Sequence, residues 1–179
     1  PIIGTLTGAG GLHTAEFVDW DADGDLDVLT GNNTGRIVRH NNLSGAAFDS
    51  TGSPLWDVHN SAPVDAIATG DLDEDGKMDF VSVVAGEIRV FLSDTGLKNL
   101  TNFSNGYQSV HVADVVPGTP LGLEIVVIGD LGVDVFIVDP IRADGLKNGP
   151  PELSWADGSS LSVDGGIADF DHDGALDDS

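Results

Sequence analysis

Three stretches of the chain crowd aspartates at one spacing: VDWDADGDLDVLTG at residues 18–31, GDLDEDGKMDFVSV at 70–83 and ADFDHDGALDD at 168–178. Carboxylates held a few ångströms apart repel one another, and ordering them is costly unless a cation sits among them. A hard divalent ion gathers about six to eight oxygens, and a loop offering side chains at alternate positions can wrap around it. Asp19, Asp21 and Asp23 stand at positions 1, 3 and 5 of such a loop, with Gly24 at position 6, where the turn is sharp and a Cβ is resisted. Asp71, Asp73, Asp75 and Gly76 repeat the register, and so do Asp169, Asp171, Asp173 and Gly174. One copy alone would read as a solvated acidic turn, because Asp and Gly are ordinary turn formers. Three copies in one register predict cation-binding loops.

The flanks say what the loops connect. A helix-flanked EF-hand needs a bidentate Glu at position 12, but Thr30 and Ser82 stand there; every copy instead has Asp at position 9, namely Asp27, Asp79 and Asp177. The runs that follow, such as DVLTG and DFVSVV, are short, β-branched and apolar, which predicts strands and makes each loop the connection of a β-hairpin. The first and second loops start 52 residues apart, and the wider gap before the third holds a weakened copy, from Asp114 to Glu124 with Pro117, Gly118, Thr119 and Pro120 between them. That copy has lost its acidic side chains at positions 3 and 5 and is expected to bind no metal. Each period reads strand, loop, strand, tight turn, strand, then a more polar stretch with room for an outer strand. The expected repeats are 13–61, 62–106, 107–160 and an incomplete 161–179, within one domain covering 1–179. Four-stranded antiparallel units with a period of about 40 to 50 residues are the pattern of β-propeller blades, so the expected fold is all-β, a partial propeller of three blades and the opening of a fourth. Trp20, Leu72 and Phe170 share loop position 2, which suggests an apolar plug between neighbouring blades.

The D-x-D-x-D-G-x-x-D loops, each running into an apolar strand, resemble FG-GAP or VCBS repeats, known from the propeller of integrin α-subunits and from many secreted microbial proteins. The resemblance covers nearly the whole chain and implies about three Ca2+ sites. It implies side-chain ligands at positions 1, 3, 5 and 9: Asp19, Asp21, Asp23 and Asp27; Asp71, Asp73, Asp75 and Asp79; and Asp169, Asp171, Asp173 and Asp177. At position 7 it implies a backbone carbonyl, from Asp25, Lys77 and Ala175, whose unlike side chains suit a main-chain role. Closed propellers of this family have more blades than the chain supplies, so it is expected to be a fragment of a longer protein or to complete a ring with other chains.

Composition narrows the function. Thirty acidic and 7 basic residues give a formal charge of −23, which argues against nucleic acid or anionic lipid as a partner. There is no cysteine, so metal takes the place of a disulfide as the local staple. No apolar run is long enough to span a membrane. Sequons at Asn32, Asn42, Asn99 and Asn102 fit a glycosylated secreted protein or simply polar loops. No nucleophile elbow, zinc-protease motif or phosphate loop occurs, the five histidines are scattered, and no catalytic residue is expected. Trp56 and Trp155 lie in the less regular stretches and are candidates for a surface patch. The resulting expectation is a calcium-stabilised, extracellular or cell-surface module for recognition or adhesion, binding a protein or carbohydrate through its loops. Two other classes compete with it: the propeller part of a secreted enzyme acting on polysaccharides, and a subunit of an extracellular filament.

Overall fold

The computed structural model describes residues 6, 11–43, 47–57, 62–94, 106–115, 123–130 and 132–137, together with the main chain of four short strands at 96–99, 153–155, 167–168 and 177–178. In chain order the strands are β1 (Leu12–Val18), β2 (Asp27–Asn32), β3 (Arg36–His40), β4 (Ser53–Asp57), β5 (Val64–Gly70), β6 (Asp79–Val84), β7 (Glu87–Leu92), β8 (Gly96–Asn99), β9 (Tyr107–Ala113), β10 (Glu124–Gly129), β11 (Gly132–Ile137), β12 (Leu153–Trp155), β13 (Ile167–Ala168) and β14 (Asp177–Asp178). Four consecutive strands pair in sequence order, so β1–β4, β5–β8 and β9–β12 are three antiparallel sheets of the propeller-blade type, and β13 with β14 forms a further pair. There is no helix among the described residues. The fold is all-β, as the loop flanks predict.

The second strand of each sheet explains the arrangement. All six residues of β2, β6 and β10 are buried, which a strand achieves only when both faces are covered. Alternation assigns the faces of β6: Phe80 and Val84 join Ile37, Val64 and Ile67 between the first and second sheets. Val81 and Val83 join Val110, Ile125 and Val127 between the second and third. The β-branched run DFVSVV therefore suits a strand clamped by a neighbour on each side. Gly31 of β2 shows how close the first contact is, since a Cβ there would lie 2.6 Å from that of Val64. The turn from β6 to β7 uses Ala85 and Gly86, both at positive φ (55° and 74°), a two-residue connection whose twist matches the strands it joins.

Position 2 of the first two loops supplies the plugs, and Phe170 of the third lies outside the described residues. Trp20 leans from the first sheet onto Phe80 of the second, with ring centroids 6.3 Å apart, and Phe80 stacks on Phe91 at 4.9 Å. Leu72 is fully buried in the core shared with the third sheet. Trp56 departs from the surface-patch expectation: it is half-buried and packs against the core between the first two sheets, because the outer strand β4 brings it back over that core through pairing with Ile37. The side chain of Trp155 lies outside the described residues. The first strands of the three sheets, β1, β5 and β9, lie side by side around a groove of about 780 Å³.

Candidate metal centres

The first two acidic loops have one backbone. Ala22 and Glu74 at position 4 are left-handed (φ 58° and 56°), and Gly24 and Gly76 at position 6 are left-handed as well (φ 92° and 84°). The first aspartate folds each loop. Asp19 accepts the N–H of Asp23 at 3.1 Å and of Gly24 at 3.0 Å, one on each carboxylate oxygen. Asp71 does the same with Asp75 at 3.0 Å and Gly76 at 2.9 Å. Position 5 adds a short link, Asp23 accepting from Asp25 N–H at 2.9 Å and Asp75 from Lys77 N–H at 2.8 Å.

The position 9 aspartates anchor the loop to the far end of the third strand. Asp27 Oδ1 accepts the N–H of Asn42 at 2.7 Å, and Asp79 Oδ1 accepts that of Ser93 at 2.9 Å. Asp79 also takes Leu72 N–H on Oδ2 at 2.9 Å, so one carboxylate ties together the start of the loop, its end and the strand beyond. Glu124 holds the same place in the third sheet, buried and accepting Val115 N–H at 2.9 Å.

The carboxylates converge differently in the two loops. In the first, oxygens of Asp19, Asp21 and Asp23 lie within 4.8 Å of one another, and Asp27 is not among them. In the second, Asp71, Asp73 and Asp79 form one such group and Asp73, Asp75 and Asp94 another, with Asp73 common to both. Burial pushes the Asp73 carboxyl above its ordinary value, and the neighbouring charges of Asp75 and Asp94 push it further. Asp79 is fully buried and is pushed up to about 6, again chiefly by burial, against the pull of the Ser93 and Leu72 N–H groups. Lys77 Nζ bonds Asp75 at 2.8 Å on the exposed rim and holds that carboxyl low.

Two oxygens test the fit of a hard cation. Asp73 Oδ1 and Asp27 Oδ2 are buried and accept no hydrogen bond, which is costly for a carboxylate oxygen. An oxygen-seeking divalent ion beside Asp73 would remove that cost, and the all-oxygen donor set suits Ca2+ better than a softer metal. Of the sequence-predicted ligands, Asp19, Asp21 and Asp23 come together, as do Asp71, Asp73 and Asp79, while Asp75 meets only Asp73 of that set. Asp25 and Lys77 sit at position 7 with their amides turned to the position 5 carboxylates. The third loop's Asp169, Asp171, Asp173 and Ala175 lie outside the described residues, and of Asp177 only the main chain, opening β14, is described.

Two residues escape a reading confined to the loops. Asp94 follows β7, and Arg39 lies in β3, where its Nη2 donates to Asp21 Oδ2 at 3.0 Å. Folding alone brings both to the loops. Asn32, one of the sequon asparagines, is buried, and its Oδ1 closes the β2–β3 turn by accepting the N–H groups of Thr34 and Arg36, both at 2.9 Å. It is not presented for glycosylation in the folded chain.

A comparison with curated proteins finds no match. The family model described as FG-GAP-like repeat matches residues 19–82, a span that opens on the first aspartate of the first loop and closes within β6. Over residues 19–82 the chain is thus similar to the FG-GAP-like repeat, the family that its acidic loops resemble.

Proposed function

We propose that the chain is a calcium-stabilised recognition or adhesion module that works outside the cell and engages a protein or glycan through the loops of its sheets. FG-GAP-like repeats are propeller-type modules often used in this way, which supports the class of function. The observation that carries the calcium reading is Asp73 Oδ1, a buried oxygen with no hydrogen bond at the point where two carboxylate groups meet. Asp71, Asp73 and Asp79, the carbonyl of Lys77, and Asp75 would hold the ion in the second loop. Asp19, Asp21 and Asp23, with the carbonyl of Asp25 and with Asp27 behind them, would hold it in the first. Asp169, Asp171, Asp173, Asp177 and the carbonyl of Ala175 would form a third site by the same spacing. Bound calcium supplies charge neutralisation. The chain's own part is to set the donors: Asp19 and Asp71 fold the loops by taking two amides each, and Asp79 ties its loop to the end of β7.

Calcium loops that need to stay filled support an extracellular setting. No helix among the described residues is long and apolar enough to cross a membrane. The formal charge of −23 disfavours nucleic acid and anionic lipid as partners. The test is a calcium titration by calorimetry, paired with thermal unfolding in calcium and in chelator. Saturable binding with a melting temperature raised by calcium is the expected result. Unfolding that is indifferent to calcium, with no heat of binding, would withdraw the metal reading and the extracellular inference together.

A further inference from the structure

The two described loops differ in what neutralises them. Arg39 pairs with Leu29 across the ladder, and Val90 pairs with Val81. Leu29 and Val81 each stand two residues after the position 9 aspartate, so Arg39 and Val90 hold the same place in their sheets. Val90 is buried in the core shared with the third sheet. Arg39 instead sends its guanidinium to the first loop, where Nη2 bonds Asp21 Oδ2 at 3.0 Å and Nε lies 3.8 Å from Asp27 Oδ2. That second oxygen is buried and accepts no hydrogen bond. Asn41 steadies the arrangement, accepting from Arg39 Nε and donating to Asp21 Oδ2 at 3.5 Å. The Arg39 side chain is only 18 % exposed, so the charge is held inside the site. The second loop has nothing comparable among the described residues: its ion pair, Lys77 with Asp75, lies on the rim with the lysine 60 % exposed. It also gains the further carboxylate of Asp94.

We propose that Arg39 is a tethered competitor for the cation seat of the first loop, so that a divalent cation fills the second loop first and the first loop only against the guanidinium. The inference rests on the calcium reading above. A guanidinium does not lose its proton, so its charge cannot be titrated away. An ion bound through Asp21 would stand beside that charge in a partly desolvated place, where like charges a few ångströms apart are strongly unfavourable. Either the side chain withdraws and gives up its bonds to Asp21 and Asn41, or the ion binds against it; both routes weaken the site. Arg39 is thus a positioning residue that sets affinity without being a ligand.

The test is calcium calorimetry on the full chain and on Arg39→Val, which installs the residue of the second sheet. Arg39→Gln, which keeps a polar side chain and removes the charge, covers the case in which Arg39→Val fails to fold. The weakest class of sites is expected to tighten at least tenfold in both. Arg39→Lys, which keeps the charge, is expected to stay within a few-fold of the parent. Adding Asp21→Asn to Arg39→Gln is expected to abolish the gain and so assign it to the first loop. Calcium binding that Arg39→Val and Arg39→Gln leave unchanged within twofold would overturn the inference and leave the calcium reading standing. Absence of binding in every variant would overturn both.

Discussion

Asp79 does three jobs with one carboxylate, and its protonation follows from them. It is fully buried, it takes the amides of Leu72 and Ser93, and burial lifts its pKa from 3.8 to about 6. A folded-state pKa above the unfolded value means that the native chain holds the proton more tightly. The stability this gives is fully present below pH 3.8 and is lost as pH rises through about 6. Asp73, Asp65 and Glu16 are pushed the same way by burial, while Asp49 and Asp75 are pulled low by hydrogen bonds to Thr51 and Lys77. For the metal-free protein, thermal unfolding is therefore expected to show a falling melting temperature between pH 4.5 and 7, with Asp79 alone costing on the order of 3 kcal/mol. Asp79→Asn should flatten the profile. A melting temperature that rises over that range in the metal-free protein would contradict the assignment.

At the scale of the element, the acidic loop is a hairpin connection built from two left-handed residues, and glycine is used at only one of them. Position 6 is Gly24 and Gly76, at φ 92° and 84°, and a Cβ at either would meet nothing within 4 Å. The constraint there is backbone conformation alone. Gly76→Ala is expected to cost about 1 to 2 kcal/mol, measured by urea unfolding in chelator. Position 4 tolerates Ala22 and Glu74 in the same region, where the amides that follow are pinned by Asp19 and Asp71. A mutant as stable as the parent would mean that the loop relaxes without loss.

At the scale of the molecule, sheets are held face to face by residues that the hairpins carry outward. Trp20 belongs to the first loop but packs on Phe80 of the second sheet, so the loop that gathers carboxylates also fixes how two sheets meet. Truncation to Trp20→Ala is expected to cost about 2 to 3 kcal/mol, less than for a fully buried tryptophan. The check is the urea midpoint in saturating calcium, and an unchanged midpoint would mean that the two sheets do not depend on this contact. Metal bound at the first loop should also tighten the packing of the first sheet on the second, since Trp20 lies between Asp19 and Asp21.

The sequence by itself determined the loops and the strands around them. Spacing placed the aspartates and glycines in one register, alternation and β-branching marked the strands, and the repeat implied four-stranded sheets, all of which are local properties of a periodic chain. What lies between the copies was not legible. Arg39 and Asp94 are an ordinary charged strand residue and an ordinary turn residue in sequence, and only the pairing of β3 with β2 and the exit of β7 bring them to a loop. Trp56 is a candidate for a surface patch in sequence because its stretch is irregular, yet pairing with Ile37 folds it over the core. The reason is the same in each case: a local period fixes which residues can serve as ligands, but the charge that balances them is set by side chains that become neighbours only when the sheet closes.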